Sequence, residues 1–365
     1  RKLYENYKEH LEDRGYKVNV IDLVFPERST AGFDPLRAVK NEDEVSALAE
    51  TISMFGHGKG GEGEKDPYWR MSGKKAIKSL MLLAIENAKA AGRKPAMRDV
   101  FKLFDNLTWN GVGGTIRNTS LDTFFDKLEE RSPGNIASAE WEGIFKSNSD
   151  VTAGCIKSTT SNMLDEIRSE NITKVMDCEN QLDFSTFDKT KQALFIITSP
   201  TRTIYSNYAN LLYSQMFGEW IHIAESKESG SLDIPVHIIA DDFACGSPIK
   251  EFPGLISAFR ASGISASLLI QSESQLAGIY GRDDAMTIIN NCDTKVYMGG
   301  SDEATIEQIA KRTNRQFKTI ASMKRGWVYV FRRGEDPYYA ERYKITEDPL
   351  YIELQNKKNP SVLSI

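Results

Sequence analysis

The feature that most constrains this chain is an interruption in its hydrophobic period. A short apolar run of strand type stands at Val18–Leu23, and the next is not met until Ala193–Ile197. Between them the apolar residues recur three and four positions apart, as on one face of a helix. Ile77, Leu80, Met81, Ala84 and Ile85 do so; so do Val100, Leu103, Phe104 and Leu107, then Leu121, Phe124, Phe125 and Leu128, and finally Ile156, Met163 and Ile167. Strand-like runs resume at Val236–Ala240, Ile264–Ile270 and Thr294–Met298. Helical spacing separates them, through Ile204, Tyr205, Tyr208, Leu211 and Leu212 before the first, and follows them at Ala304, Ile306, Ile309 and Ala310. Strands that alternate with helices fold as a mostly parallel sheet covered by helices on both faces. The pattern therefore predicts an α/β domain interrupted by an all-α block that contains no strand. The expected boundaries are 1–69 for the first α/β segment, 70–170 for the all-α block, 171–345 for the second α/β segment and 346–365 for a C-terminal tail. Trp327–Phe331 and Tyr338–Lys344, flanking Arg332–Pro337, predict a hairpin at one sheet edge.

At the amino end, Leu3, Tyr7 and Leu11 space a helix that Gly15 ends, and Asn41 can cap a second through Val45, Leu48, Ala49 and Ile52. The stretch Gly56–Lys65 looks like a phosphate loop. However, Lys59 is followed by Gly60 where such a loop needs Ser or Thr, and no strand leads in. It reads as a mobile surface loop.

Composition removes several function classes. A chain of 365 residues has room for two domains or for one with a large insertion. Hydrophobic residues at 40% and charged residues at 27% exclude a disordered chain. A net charge of −5 excludes a globally basic nucleic-acid protein, so any DNA contact must come from a local patch. The most apolar stretch, Leu80–Ile85, is too short to span a bilayer. Cys155, Cys178, Cys245 and Cys292 stand at no metal spacing, and His10, His57, His222 and His237 form no cluster with them. Zinc and cysteine-nucleophile chemistry are thereby disfavoured.

The sharpest chemical signal is Val236–Asp242, an apolar strand that runs into two acids. Ligand sites of parallel α/β sheets lie at that end of a strand. In phosphate-loop ATPases the first acid, here Asp241, holds Mg²⁺, and the second, here Asp242, orients the attacking water. The alternative is that Asp242 caps the following turn and Asp241 is simply solvated. Gln271 follows the next strand, where an amide can touch a γ-phosphate or the lytic water. Arg260 lies near the end of the intervening helix. It can be the cation that reaches a neighbouring subunit's nucleotide, or a helix-end arginine answering the dipole. Lys324, Arg325, Arg332 and Arg333 are basic with aromatic residues nearby, which suits either phosphate-backbone contact or a solvated face.

These residues occur in a familiar order. Asp241-Asp242-Phe243-Ala244-Cys245-Gly246, Ile256–Gly263, Ile264–Gln275, Asn291-Cys292-Asp293-Thr294-Lys295 and Gly299-Gly300-Ser301-Asp302 follow one another. The run resembles the type IV secretion coupling proteins, the TraG-type conjugative DNA-transfer ATPases. Their second nucleotide motif typically reads L-D-E-F-A-N-x-G and is followed by R-x-x-G-I, Q-S-x-x-Q-L and N-C-D-T-K segments. Leu3-Tyr4-Glu5, Phe33-Asp34-Pro35-Leu36 and Asp66-Pro67-Tyr68-Trp69 also match, so the resemblance covers roughly residues 1–345.

The resemblance implies a RecA-like phosphate-loop NTPase domain interrupted by an all-α domain, with ATP and Mg²⁺ as cofactors. It further implies a homo-hexamer on the cytoplasmic face of the inner membrane. Its partners would be a relaxase with attached single-stranded DNA and the inner-membrane components of a secretion channel. The phosphate loop and the membrane segment are expected before Arg1. One residue departs from the family pattern: Asp242 stands where Glu is usual, and its carboxylate is one methylene shorter.

Overall fold

The computed structural model describes residues 1–55, 67–112, 115–199, 201–244, 248–249 and 251–358. The loop expected at 56–65, the Cys245-Gly246 pair and the last residues of the tail lie outside the described residues. The chain opens with α1 (Lys2–Asp13) and β1 (Lys17–Asp22), then α2 (Pro35–Ala38) and α3 (Glu42–Ser53). The helical block follows as α4 (Pro67–Ala90) and α5 (Met97–Asp105), a hairpin of β2 (Trp109–Val112) and β3 (Thr115–Thr119), and then α6 (Asp122–Arg131), α7 (Ile136–Trp141), α8 (Asp150–Asp165) and α9 (Glu170–Met176). Two compact units result. One comprises Asn19–Phe184 with Leu194–Met216; the other comprises Arg1–Val18, Ser185–Ala193 and Phe217–Ile365.

In the first unit α4 is the central helix. Ile77, Leu80, Met81, Leu83 and Ala84 are buried on it, and α3, α5, α7 and α8 pack around it. An aromatic pile closes one side: Phe125 stacks on Trp141 at 4.5 Å, and Trp141 meets Phe145 at 4.4 Å. The strand-free block expected from the sequence is corrected by the β2–β3 hairpin, antiparallel with Trp109 opposite Thr119 and Val112 opposite Thr115. Its strands hold only four and five residues, too few to show a period of two. What closes the hairpin is short-range polar bonding that hydrophobic spacing does not register. Ser120 donates its hydroxyl to the Asn106 carbonyl at 2.6 Å and accepts the Thr108 N–H at 3.0 Å.

β1 pairs with β4 (Gln192–Ile197), and the later residues of both strands belong to this unit. Lys17 N–H bonds Lys191 O and Leu23 N–H bonds Ile197 O, advancing in the same sense along both strands, so the pair is parallel. Gly32 is required where it stands. A Cβ there would collide with the Val175 carbonyl oxygen and with the side chains of Cys178 and Gln181. Beside it Asp34 is buried and caps two helices. It accepts the Leu36 N–H of α2 at 2.9 Å and the Met97 N–H of α5 at 3.0 Å.

The helix α10 (Thr203–Glu225) leads toward the second α/β segment. There β5 (Val236–Ala240) is followed by α11 (Phe252–Phe259), β6 (Ile264–Leu268), α12 (Glu273–Tyr280), α13 (Arg282–Asn291) and β7 (Thr294–Tyr297). Next come α14 (Glu303–Thr313), α15 (Phe317–Ala321), β8 (Trp327–Arg332), β9 (Tyr338–Glu341) and α16 (Pro349–Lys358). β5 and β6 are parallel and in register from Val236–Ile264 to Ala240–Leu268. β7, β8 and β9 pair antiparallel, with the β8–β9 hairpin where the sequence places it. Ile306, Ile309 and Ala310 of α14 and Ile320 of α15 pack against Tyr329 and Phe331 of β8.

The two sides of the β5–β6 pair differ among the described residues. Only the side of Val236, Ile238 and Ile264 turns inward. His237, Ile239, Ser265 and Ser267 are exposed on the other side. The His237 ring instead bonds sideways, Nδ1 to Ser265 Oγ at 2.7 Å and Nε2 to Ser267 Oγ at 3.1 Å.

Candidate active site

Because β5 and β6 are parallel and unshifted, their carboxyl ends leave the sheet together. The ladder continues one step past them: Leu269 N–H donates to Ala240 O at 2.9 Å, and Phe243 N–H donates to Leu269 O at 2.9 Å. These bonds fix the two loops that carry the candidate chemistry. Asp241 and Asp242 are exposed on one loop and Gln271 is exposed on the other. Gln271 Nε2 donates to Asp242 Oδ1 at 3.5 Å, at the outer limit of a hydrogen bond.

Asp242 has φ of +50°, in the left-handed region. A non-glycine residue there is strained, and Asp is among the few tolerated, because its short side chain bonds locally. The next residue anchors the loop. Phe243 packs on Phe252 at 4.7 Å and lies nearly parallel to Tyr280 at 5.7 Å. Tyr280 accepts the Ile249 N–H at 3.1 Å, and burial pushes its phenol up to about 12. Phe243→Ala should therefore cost about 3 kcal/mol in thermal or denaturant unfolding, near the low end for an aromatic truncation, since the ring is half-buried.

A third loop tip joins these two, on a residue the sequence reading did not single out as a site. Ser274 Oγ, in the first turn of α12, donates to Asp302 Oδ2 at 2.9 Å. Asp302 follows β7 and caps α14, accepting from Thr305 N at 2.9 Å and Thr305 Oγ1 at 2.6 Å. The Thr305 hydroxyl, its N–H and the Ser274 hydroxyl together hold the Asp302 carboxyl below the usual range. The signal available in the sequence was the Ser301-Asp302-x-x-Thr305 capping pattern. Asp302 thus ties the loop that bears Gln271 to the end of β7.

Asp241, Asp242 and Gln271 are brought to one edge; Arg260 is not. It follows α11 at the amino end of β6, exposed and without a side-chain partner among the described residues. A five-residue strand separates it from the acids, roughly 16 Å of sheet. Nor do the four basic residues form one patch. Lys324 and Arg325 precede β8, whereas Arg332 and Arg333 stand at its far end, roughly 20 Å away. Arg332 pairs with Glu335 at 3.4 Å. Arg333 pairs with Asp293 at 3.5 Å and donates to Asn290 O at 2.9 Å.

Among the described residues no group of three or more His, Cys, Asp or Glu converges as a metal cage. Two exposed carboxylates at a strand tip are nevertheless the donor set that Mg²⁺ uses, since it keeps several waters and takes its remaining ligands from phosphates. Among the same residues no helix is long and apolar enough to cross a membrane.

A sheet with parallel strands, acids at a strand tip and a helical block set into the chain fit the RecA-like α/β fold expected from the sequence. Residues 235–324 match the family described as the TraM recognition site of TraD and TraG. Among solved structures, the unbound monoclinic form of the bacterial conjugative coupling protein TrwBΔN70 aligns with a TM-score of 0.62 at 14% identity, over 92% of this chain and 80% of that one. Its trigonal form in complex with sulphate aligns at 0.64 and 14% identity, over the same shares. TrwB in complex with the ATP analogue ADPNP aligns at 0.62 and 16% identity, again over 92% and 80%. At such identities the likeness is one of fold. No curated protein matches the chain.

Proposed function

We propose that this chain is the nucleotide-binding and all-α region of an ATP-driven coupling protein. In the intact protein it would recruit a relaxase with its single-stranded DNA, or a protein substrate, and deliver it to a type IV secretion channel during conjugation. The observation that carries this reading is the meeting of Asp242 and Gln271 at the tips of adjacent parallel strands. That is where a phosphate-loop ATPase needs a water-orienting acid and a γ-phosphate sensor. Asp241 would hold Mg²⁺ on the nucleotide, and Mg²⁺ would supply charge neutralisation at the phosphates. TrwB, which shares the fold, has been seen with ADPNP and with ADP and Mg²⁺, which supports ATP and Mg²⁺ as cofactors.

Arg260 lies a strand's length from its own chain's acids, so its catalytic use requires a ring, a homo-hexamer held at the inner membrane. The test is complementation in the intact protein. Arg260→Ala should lose ATP turnover, and mixing it with Asp242→Ala subunits should restore part, because each variant supplies what its neighbour lacks. If no mixture regains turnover, Arg260 is a helix-end residue.

A second reading is a substrate-recruiting receptor with a weak or silent ATPase. The observation favouring it is the short, left-handed Asp242 where the family usually has Glu.

A further inference from the structure

We propose that the turn before β8, with Arg342 beside it, is a contact surface for single-stranded nucleic acid, and that Arg332 and Arg333 have no part in it. This rests on the reading of the chain as part of a DNA-transfer protein and assigns the surface that reading leaves open. Antiparallel pairing sets the place. Tyr297 of β7 lies opposite Tyr329, and Trp327 lies opposite Glu341 of β9. The end of β7, the Lys324-Arg325-Gly326 turn and the start of the segment after β9 therefore share one edge. Arg342 N–H closes it by donating to Gly326 O at 2.7 Å.

Three cations, Lys324, Arg325 and Arg342, gather there, and Glu341 is the carboxylate beside them. Lys324 Nζ lies 5.8 Å from the centre of the Trp327 ring. Arg325 and Arg342 are exposed and have no side-chain partner among the described residues. By contrast, Arg332 and Arg333 at the opposite end are already paired with Glu335 and Asp293. A cavity of about 490 Å³ opens beside the turn, lined by Met298, Gly326, Glu341, Arg342, Tyr343 and Lys344 among others, and Lys344 is paired with Glu347 at 3.3 Å. Tyr343 is 65% exposed, with its hydroxyl tethered to Asp348 Oδ2 at 2.9 Å, so the ring is presented in a fixed pose. The hairpin under it is stiffened by Tyr339, which stacks on Trp327 at 4.8 Å. Unpaired arginines beside a held, exposed aromatic ring fit a phosphodiester backbone with unstacked bases. An acidic peptide would use the charges and leave the ring idle.

The edge is also the one at which β6 and β7 end. Ser274, just after Gln271, bonds Asp302, just after β7. The loop that carries Gln271 is thus tied to the end of β7, which lies at this edge.

The test is fluorescence anisotropy of labelled oligo(dT) with this chain, at several salt concentrations and without nucleotide. Arg325→Ala and Arg342→Ala should each weaken binding several-fold. Each should also lower the slope of log affinity against log salt by about 0.7 for the phosphate contact removed. Tyr343→Ala should weaken oligo(dT) several-fold while leaving inorganic polyphosphate binding unchanged. Arg332→Ala should change neither affinity nor slope, and melting curves should show all variants folded. Equal losses from Arg332→Ala, unchanged slopes for the two arginine variants, or tighter binding of poly-glutamate than of oligo(dT) would each overturn the assignment. None of these outcomes bears on ATP turnover, so this surface and the ATPase reading fail separately.

Discussion

Replacing Asp241 by Ala in the intact protein is expected to abolish ATP turnover, by roughly 10³-fold or more, since the step would lose its Mg²⁺ anchor and with it several kcal/mol of charge stabilisation. The informative partner of that variant is at Asp242. Asp242→Asn keeps the size of the side chain and, like Asp, tolerates the left-handed backbone at φ +50°. It removes only the negative charge. Nucleotide binding should therefore survive, with dissociation constants within a few-fold of wild type, while hydrolysis falls by roughly 10²-fold or more. A water-orienting carboxylate matters in the transition state and little in the ground state. Asp242→Glu adds the methylene usual in the family, at a backbone cost of about 1 kcal/mol in this conformation. If turnover rises, reach limits the wild-type rate. If Asp242→Asn hydrolyses ATP as fast as wild type, the carboxylate is no catalyst and the receptor reading stands. The measurements are steady-state phosphate release and equilibrium binding of a fluorescent ATP analogue.

What could be read from the sequence at this site was the residue types and the strand ends, because both are local. A strand of apolar residues that stops at two acids announces its own carboxyl edge, and Gln271 repeats the arrangement one strand later. Their meeting was not local. It depends on the unshifted register of β5 and β6, which no spacing within either strand encodes. Arg260 shows the same limit from the other side. Its place after a helix was legible, but lying at the amino end of β6, away from the acids, follows from the parallel crossover. The four basic residues were adjacent in type and nearly so in sequence, yet β8 runs between the pairs and parts them. Fold class survived these limits because it rests on long segments. Ten buried positions along α4 outvote any single residue, whereas a hairpin of four and five residues has no such average behind it. Asp302 was missed because a capping pattern speaks only of its own helix; its bond to Ser274 belongs to tertiary structure.

The largest expected effect on stability is at Asp34, in the other unit. Its side chain is buried, accepts the N–H groups of Leu36 and Met97, and so joins the starts of α2 and α5. Its own N–H donates to Gln181 Oε1 at 2.8 Å. Asp34→Ala would leave two buried N–H groups without acceptors, each worth about 1–3 kcal/mol, so a total loss of about 3–4 kcal/mol is expected near pH 5. The pH matters because burial raises the Asp34 carboxyl to about 6, against the partial opposition of the Met97 and Leu36 N–H bonds and the Arg37 charge. A carboxyl raised on folding makes the native state bind the extra proton. Its contribution to stability is complete below about pH 4 and is lost as pH climbs through about 6, a change of about 3 kcal/mol over that window. The penalty of Asp34→Ala should accordingly shrink between pH 5 and pH 7.5. Asp34→Asn is the sharper probe. Its amide oxygen can accept both N–H groups, and it has no charge to desolvate. It should match wild type within about 1 kcal/mol at pH 5 and exceed it at pH 7.5, which denaturant unfolding at the two pH values will read. If wild type and Asp34→Asn keep a constant difference from pH 5 to pH 7.5, the carboxyl stays ionised throughout. The two helix N-termini then stabilise the buried charge more than desolvation opposes it.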